Sequence, residues 1–351
     1  MATYDAIRDL PLKIDSYALE GHEQPVSVEF VRYTTDIKLR GGGHEGIGED
    51  VVYDGLDHQV FQSAGPVLPI GGDWTIASFS ARLDDLELFP DPPGMPAARD
   101  YRRWAFESAA LDLALRQAGR SLPDVLAREP RPVNYVVSMR LGEPAAIEPL
   151  LERLSLYPGL RFKLDATASW TPELVRQLAE TGAVDSIDLK GFYRGTPVDV
   201  DASPELYSMV AEGFPDAWIE DPDLSRPDLA EVLAGHEERF TWDAPIHSIE
   251  DIEALPFPPK TINIKPSRFG PIERLFAAYD YCDERGIGAY GGGQSELSVG
   301  RGHIQYLAAI FHPDTENDTA PGQFNAPEVP EGLPMSPLEP RIDSIGFRWV
   351  A

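Results

Sequence analysis

From about residue 130 onward, apolar and polar positions recur as one unit: a short apolar run, a polar or charged tip, then an amphipathic stretch. The runs are NYVVSM (134–139), LRFKLDA (160–166), DSIDLKG (185–191), AWIEDP (217–222), RFTWDAP (239–245), TINIKP (261–266) and GAYGGGQ (288–294). Their length and apolar density predict buried strands. Between them, stretches such as TPELVRQLAETG and PIERLFAAYDYCDERG carry apolar residues at helical spacing. Proline with serine or aspartate near their starts, and glycine near several ends, are helix-boundary signals. Strands alternating with helices predict parallel β/α units, and about eight of them a closed TIM-type barrel. The eighth segment, DTENDTAPGQFN (314–325), reads as loop more than strand.

The first 125 residues follow a different pattern. EQPVSVEFVRYTTDIKLRGGGHEGIGEDVVYD (23–54) predicts a hairpin or meander with a glycine-rich turn, and a largely helical stretch follows, ending in YRRWAFESAALDLALRQAGRSLPDVL. The expected architecture is α/β: a modified TIM-type barrel of seven β/α units plus a closing strand, with an N-terminal α+β capping domain. The expected division is a cap over residues 1–125, completed by residues 335–351, and a barrel over residues 126–334. Within the last part, the proline-rich segment 326–340 reads as a linker, and RIDSIGFRWV (341–350) as a strand returning to the cap.

Composition narrows the chemistry. A formal charge of −28 argues against nucleic acid, whose phosphates demand a basic surface. No apolar run reaches the roughly 18 residues of a membrane span, and the N-terminus lacks the apolar core of a signal peptide. Cys282 is the single cysteine, which excludes a disulfide within the chain and fits a cytoplasmic location. A homo-oligomer is expected. Lysine is scarce: Lys13, Lys38, Lys163, Lys190, Lys260 and Lys265 are all there are. Where lysine occurs is therefore informative.

In a TIM barrel the C-terminal ends of the strands converge on one site. The tips carry Lys163 and Asp165, Asp188 and Lys190, Glu220, Asp243, Lys265, and then Gln294 with Glu296. A spacing of two keeps each pair on one face of its strand. Carboxylates focused on one point repel unless a cation neutralises them, and rigid oxygen donors suit magnesium, with manganese as the other candidate. A lysine beside such an ion is pushed toward its neutral form and can act as a base. A ring of salt bridges without metal is the plain structural alternative. His247 and His303 read as packing or surface residues, and His44 as part of an exposed turn. GGGQSE lacks a phosphate-loop pattern and fits close backbone approach at a barrel rim.

These residues resemble the enolase superfamily, in particular its muconate cycloisomerase, o-succinylbenzoate synthase and dipeptide epimerase subgroup. GIGE (46–49) resembles the G-x-G-E of the capping domain, and AFESAALDLALRQAGRSLPDVL its linking helices. WIEDP resembles the metal motif of the fourth strand, INIKPSRFG the lysine motif of the sixth, and GGGQSELSVGRGHIQYLAA the seventh-strand segment. The resemblance implies a single magnesium on Asp188, Glu220 and Asp243, with Lys265 and Lys163 as the catalytic lysines. It also implies proton abstraction α to the carboxylate of a small acid, through a metal-stabilised enolate. Elimination, cycloisomerisation, racemisation or epimerisation would follow. Asp165, Lys190, Arg268, Gln294 and Glu296 would bind substrate or assist.

Three positions depart from the family pattern. K-x-K on the second strand reads Lys163-Leu164-Asp165, D-x-N on the third reads Asp188-Leu189-Lys190, and Asp-Glu on the fifth reads Asp243-Ala244. A shifted register, with Asp165 as a ligand and Asp188 as the next, would leave Glu220 on a surplus strand. A Schiff-base aldolase would use one of the lysines but gives the three acids no task. A non-catalytic binding protein of the same fold is the remaining reading.

Overall fold

A computed structural model describes residues 2–26, 31–196 and 199–350. The N-terminal part contains β1 (Pro11–Ile14), β2 (Ser16–Pro25), β3 (Val31–Gly41), β4 (His44–Asp50), α1 (Gly55–Ala64), β5 (Gly72–Thr75), α2 (Ile76–Asp84), α3 (Ala98–Gln117) and α4 (Leu122–Leu126). Strands β2, β3 and β4 form an antiparallel meander, and β1 pairs with β5. Residues 27–30, which the predicted meander also spans, lie outside the described residues. Helix α3 lies against β4. A Cβ at Gly46 would stand 2.2 Å from the Ala109 carbonyl oxygen, and one at Gly48 2.1 Å from that of Ala105. Glycine at both positions is what lets strand and helix approach so closely.

The repeating units follow in chain order. They are β6 (Val137–Arg140), α5 (Glu148–Leu156), β7 (Phe162–Asp165), α6 (Pro172–Glu180), β8 (Val184–Asp188), α7 (Pro204–Gly213), β9 (Trp218–Glu220) and α8 (Pro227–Val232). Then come β10 (Phe240–Trp242), α9 (Ile249–Glu253), β11 (Thr261–Ile264), α10 (Pro266–Phe269), α11 (Ile272–Arg285), β12 (Gly288–Gly291) and α12 (Val299–Phe311). Strands β6 to β12 pair in parallel and in sequence order, one curled sheet. Helices start as their residues predict: Thr171, Ser203 and Ser248 each accept a backbone N–H in the first turn of α6, α7 and α9.

The eighth position is filled without a regular strand. Asn317 bridges to Tyr135, just before β6, and Asp318 to Gly292, just after β12. The Asn317 side chain does much of the joining: its Oδ1 accepts the Gly291 N–H at 2.6 Å and its Nδ2 donates to the Asn134 carbonyl at 3.0 Å. A side-chain clasp has no apolar alternation, so the segment read as loop although it closes the sheet. The expected strand at 341–350 is likewise reduced to single bridges, Ser121 with Gly346 and Ile342 with Trp349. Gly346, at φ +89°, breaks the extended path. The segment is held on α3 by Asp112, which accepts from the Phe347 N–H at 2.8 Å and from Arg348 Nε at 2.7 Å.

His303 on α12 is a packing residue, as its surroundings on the helix suggested. It is buried and stacks on Phe347 with ring centroids 4.4 Å apart. Burial pushes its pKa down from 6.5 to about 4. The unfolded chain therefore binds the proton first, and stability present above about pH 6.5 is lost as pH falls toward 4. Denaturation midpoints should drop between pH 7 and pH 4. His303→Phe keeps a stacked ring and should flatten part of that drop; an unchanged profile would contradict a neutral buried imidazole.

Candidate active site

Short strands that end together bring their last residues to one place. The parallel registers set Asp165 beside Asp188 and Asp188 beside Glu220, and Asp243 directly follows β10. Asp188, Glu220 and Asp243 each offer an oxygen within 4.8 Å of the others'. All three side chains are buried. Asp165 stands outside this triad, with its carboxylate 3.1 Å from Lys190 Nζ and 3.8 Å from Arg140 Nε.

Each acid has a basic partner. Lys265 Nζ donates to Asp243 Oδ2 at 2.8 Å, and Arg268 Nη1 to Asp243 Oδ1 at 2.8 Å. Lys163 donates to Glu220 and lies 3.8 Å from Asp188 Oδ2 and 3.7 Å from Asp318 Oδ2. Lys190 donates to Asp188 through its ammonium, and its N–H reaches Asp188 Oδ1 at 2.8 Å. Tyr290 donates to the other oxygen of Glu220, and Tyr193 Oη to Asp243 Oδ2 at 3.3 Å.

The resulting electrostatics set these groups apart. Burial, then Arg268 and Lys163, push the Lys265 ammonium below its ordinary pKa against the pull of Asp243. Burial also works against the charge of Lys163, but Glu220, Asp318 and Asp188 outweigh it and raise that pKa well above the ordinary value. Burial opposes the charge on Asp243 as well, yet Arg268 and Lys265 hold its carboxyl well below the usual carboxylate range. Glu220 goes the other way, raised by burial and by Asp188 and Asp243. Two lysines at one mouth thus differ: their surroundings lower the pKa of Lys265 and raise that of Lys163.

The other predicted residues fall into two groups. Lys163, Lys190, Lys265 and Arg268 touch the triad directly. Gln294 and Glu296 build the loop after β12: Gln294 Nε2 donates to Ser267 Oγ at 2.8 Å, and Glu296 accepts the Gln294 N–H and faces Arg301 Nη2 at 3.5 Å. The glycines of that loop permit close approach, since a Cβ at Gly292 would stand 2.8 Å from Lys265 Cε.

Sequence reasoning missed Tyr193, Tyr290, Asp318 and Arg32. The two tyrosines look like ordinary apolar positions, and Asp318 sits in the segment without alternation. Arg32 is fully buried in β3 and joins cap to rim, donating to the Gln294 carbonyl at 2.9 Å and the Ser295 carbonyl at 3.1 Å. Glu49, the last residue of GIGE, does the same: its carboxylate accepts the N–H groups of Leu297, Ser298 and Gly300 at the start of α12.

The donor set suits a divalent cation. Three carboxylates on successive rigid strands supply hard oxygen ligands.

Two family models describing a domain of unknown function, DUF8230, match the chain: the N-terminal domain over residues 5–125 and the C-terminal domain over residues 129–326. No curated protein matches it. Solved structures share its fold. A dipeptide epimerase from Enterococcus faecalis V583 superposes with a TM-score of 0.67 at 17% identity, covering 96% of this chain and 99% of that one. Muconate lactonizing enzyme from Pseudomonas putida gives 0.66 at 18% identity, over 88% of each chain. A dipeptide epimerase from Methylococcus capsulatus complexed with Mg ion gives 0.64 at 18% identity, over 87% and 89%. These neighbours are enolase-superfamily members, so the fold is that of a capping domain on a TIM-type barrel. Among the described residues no helix is long and apolar enough to cross a membrane.

Proposed function

The chain belongs to the DUF8230 family, and from its enolase-type fold and the acids at its barrel mouth we propose a magnesium-dependent enzyme that removes the proton α to the carboxylate of a small acid. The observation that carries this reading is the triad itself: three buried acids on successive strands, with oxygens within 4.8 Å, faced by the Lys265 and Lys163 ammonium groups. Asp188, Glu220 and Asp243 would hold the ion. When bound, it supplies positive charge that acidifies the α-carbon of a carboxylate and offsets the charge that develops on it.

The chain's own groups do the rest. Lys265, desolvated and next to Arg268, takes the α-proton at Nζ. Arg268 and Tyr193 fix Asp243 in place, and Lys163 faces Glu220 and Asp188 from the β7 side of the triad. Only one lysine stands on β7, because Asp165 occupies the second place of K-x-K. A one-base outcome, elimination or cycloisomerisation, therefore fits better than racemisation or epimerisation, which needs a proton partner on each face. Residues 1–125 with 335–351 would form the lid over this mouth, and residues 126–334 the catalytic barrel.

The reading is tested by solvent deuterium. A panel of small carboxylic acids incubated in D2O with magnesium should include members that lose or exchange the α-proton, and a chelator should stop it. Failure of every acid with metal present, or exchange that persists with chelator, would sink the proposal.

A further inference from the structure

Residue 190 holds both oxygens of one would-be metal ligand. Its backbone N–H donates to Asp188 Oδ1 at 2.8 Å, and its ammonium donates to Oδ2. Asp188 is fully buried, so its charge must be met inside the protein. The lysine reaches back because its backbone is left-handed, at φ +54°, a conformation that a β-carbon disfavours and that asparagine tolerates better. A second resting place for the ammonium is already built: Asp165 Oδ1 lies 3.1 Å from it, and the Tyr193 ring centroid 5.2 Å away.

Resting on the metal-site reading above, we propose that Lys190 is the internal counter-ion of the metal centre. Its ammonium occupies Asp188 when no divalent ion is bound, and yields Oδ2 and moves wholly onto Asp165 when one arrives. Two consequences follow from charge alone. A cation at this distance repels an incoming divalent ion, so Lys190 weakens metal affinity. It also neutralises a buried carboxylate of the metal-free protein, so it stabilises that state. Asp165, which stands where the resemblance leads one to expect a lysine, gains a task as the acceptor of the displaced ammonium. Lys190 is in this sense a positioning residue, and the released ammonium at the mouth is a cation available to an anionic substrate.

The test is metal affinity, read by calorimetry with magnesium and with manganese, alongside the thermal midpoint of the metal-free protein. Lys190→Asn suits the left-handed backbone, and Lys190→Met keeps an unbranched chain, one atom shorter, without the charge. Both should bind metal at least about tenfold more tightly than wild type, have a lower midpoint without metal, and gain a larger upward shift on adding it. A purely structural role for Lys190 would lower the midpoint and leave affinity unchanged or weaker. Wild type that binds metal with variants that bind no tighter overturns the counter-ion role alone. Absence of binding in wild type and both variants overturns the metal site itself. Binding gained only in the variants would mean that Lys190 shuts the ion out altogether, and overturns both its displacement onto Asp165 and the wild-type metal site.

Discussion

Glu220→Gln should abolish measurable divalent-metal binding and lower kcat/KM by about a thousandfold or more. Glu220 is the middle acid of three successive strands, fully buried, and flanked by Asp188 in register and by Asp243 beyond it. Its two oxygens are each held, one by Lys163 and one by Tyr290. Glutamine keeps the shape and loses the charge, so the fold should survive while the donor set falls to two carboxylates. The change also leaves the Lys163 ammonium without its nearest counter-charge, a cost of roughly 3–5 kcal/mol for a broken buried pair. Near-wild-type metal affinity in this variant would mean that Glu220 is a structural partner of Lys163 and no ligand.

The second large effect concerns the base. Lys265→Ala should suppress α-proton exchange by about 10²–10⁴, the range typical of a positioned general base, while metal binding persists. Lys265 is locked in place by the close approach of Gly292 and by its bond to Asp243, so its amine has one position from which to act. Followed by NMR in D2O, wild type should exchange one α-proton stereospecifically. Deuterium in both enantiomers, suppressed on one face only by Asp165→Asn or Lys190→Ala, would show a two-base pair. Full exchange in Lys265→Ala would place the base on another strand.

Most of this architecture was legible because strand tips are chemically distinctive. Five of the seven apolar runs end in charged residues, and a buried parallel strand cannot carry such residues inside its length without a partner, so they mark the rim. The acids at three successive tips followed from their order, and their reading as one ligand set from the family resemblance. What stayed hidden lacks periodicity. Asn317 closes the barrel through its side chain, and Asp318 enters the site from a segment with no apolar alternation. Tyr193 and Tyr290 sit where apolar residues are expected, and only their hydroxyl contacts reveal them. Arg32 lies 262 positions before Gln294 in sequence, a separation that no local pattern reports. Gln294 and Glu296 were read from the tip that follows the seventh run, and there Gln294 bonds Ser267 on α10 while Glu296 accepts the Gln294 N–H.

The central claim, a divalent-ion site on Asp188, Glu220 and Asp243, is tested most directly by titrating magnesium into chelator-treated wild-type protein in a calorimeter. One ion should bind per chain, with binding lost in Glu220→Gln. No heat of binding from the wild type, or the same isotherm from both proteins, would contradict it.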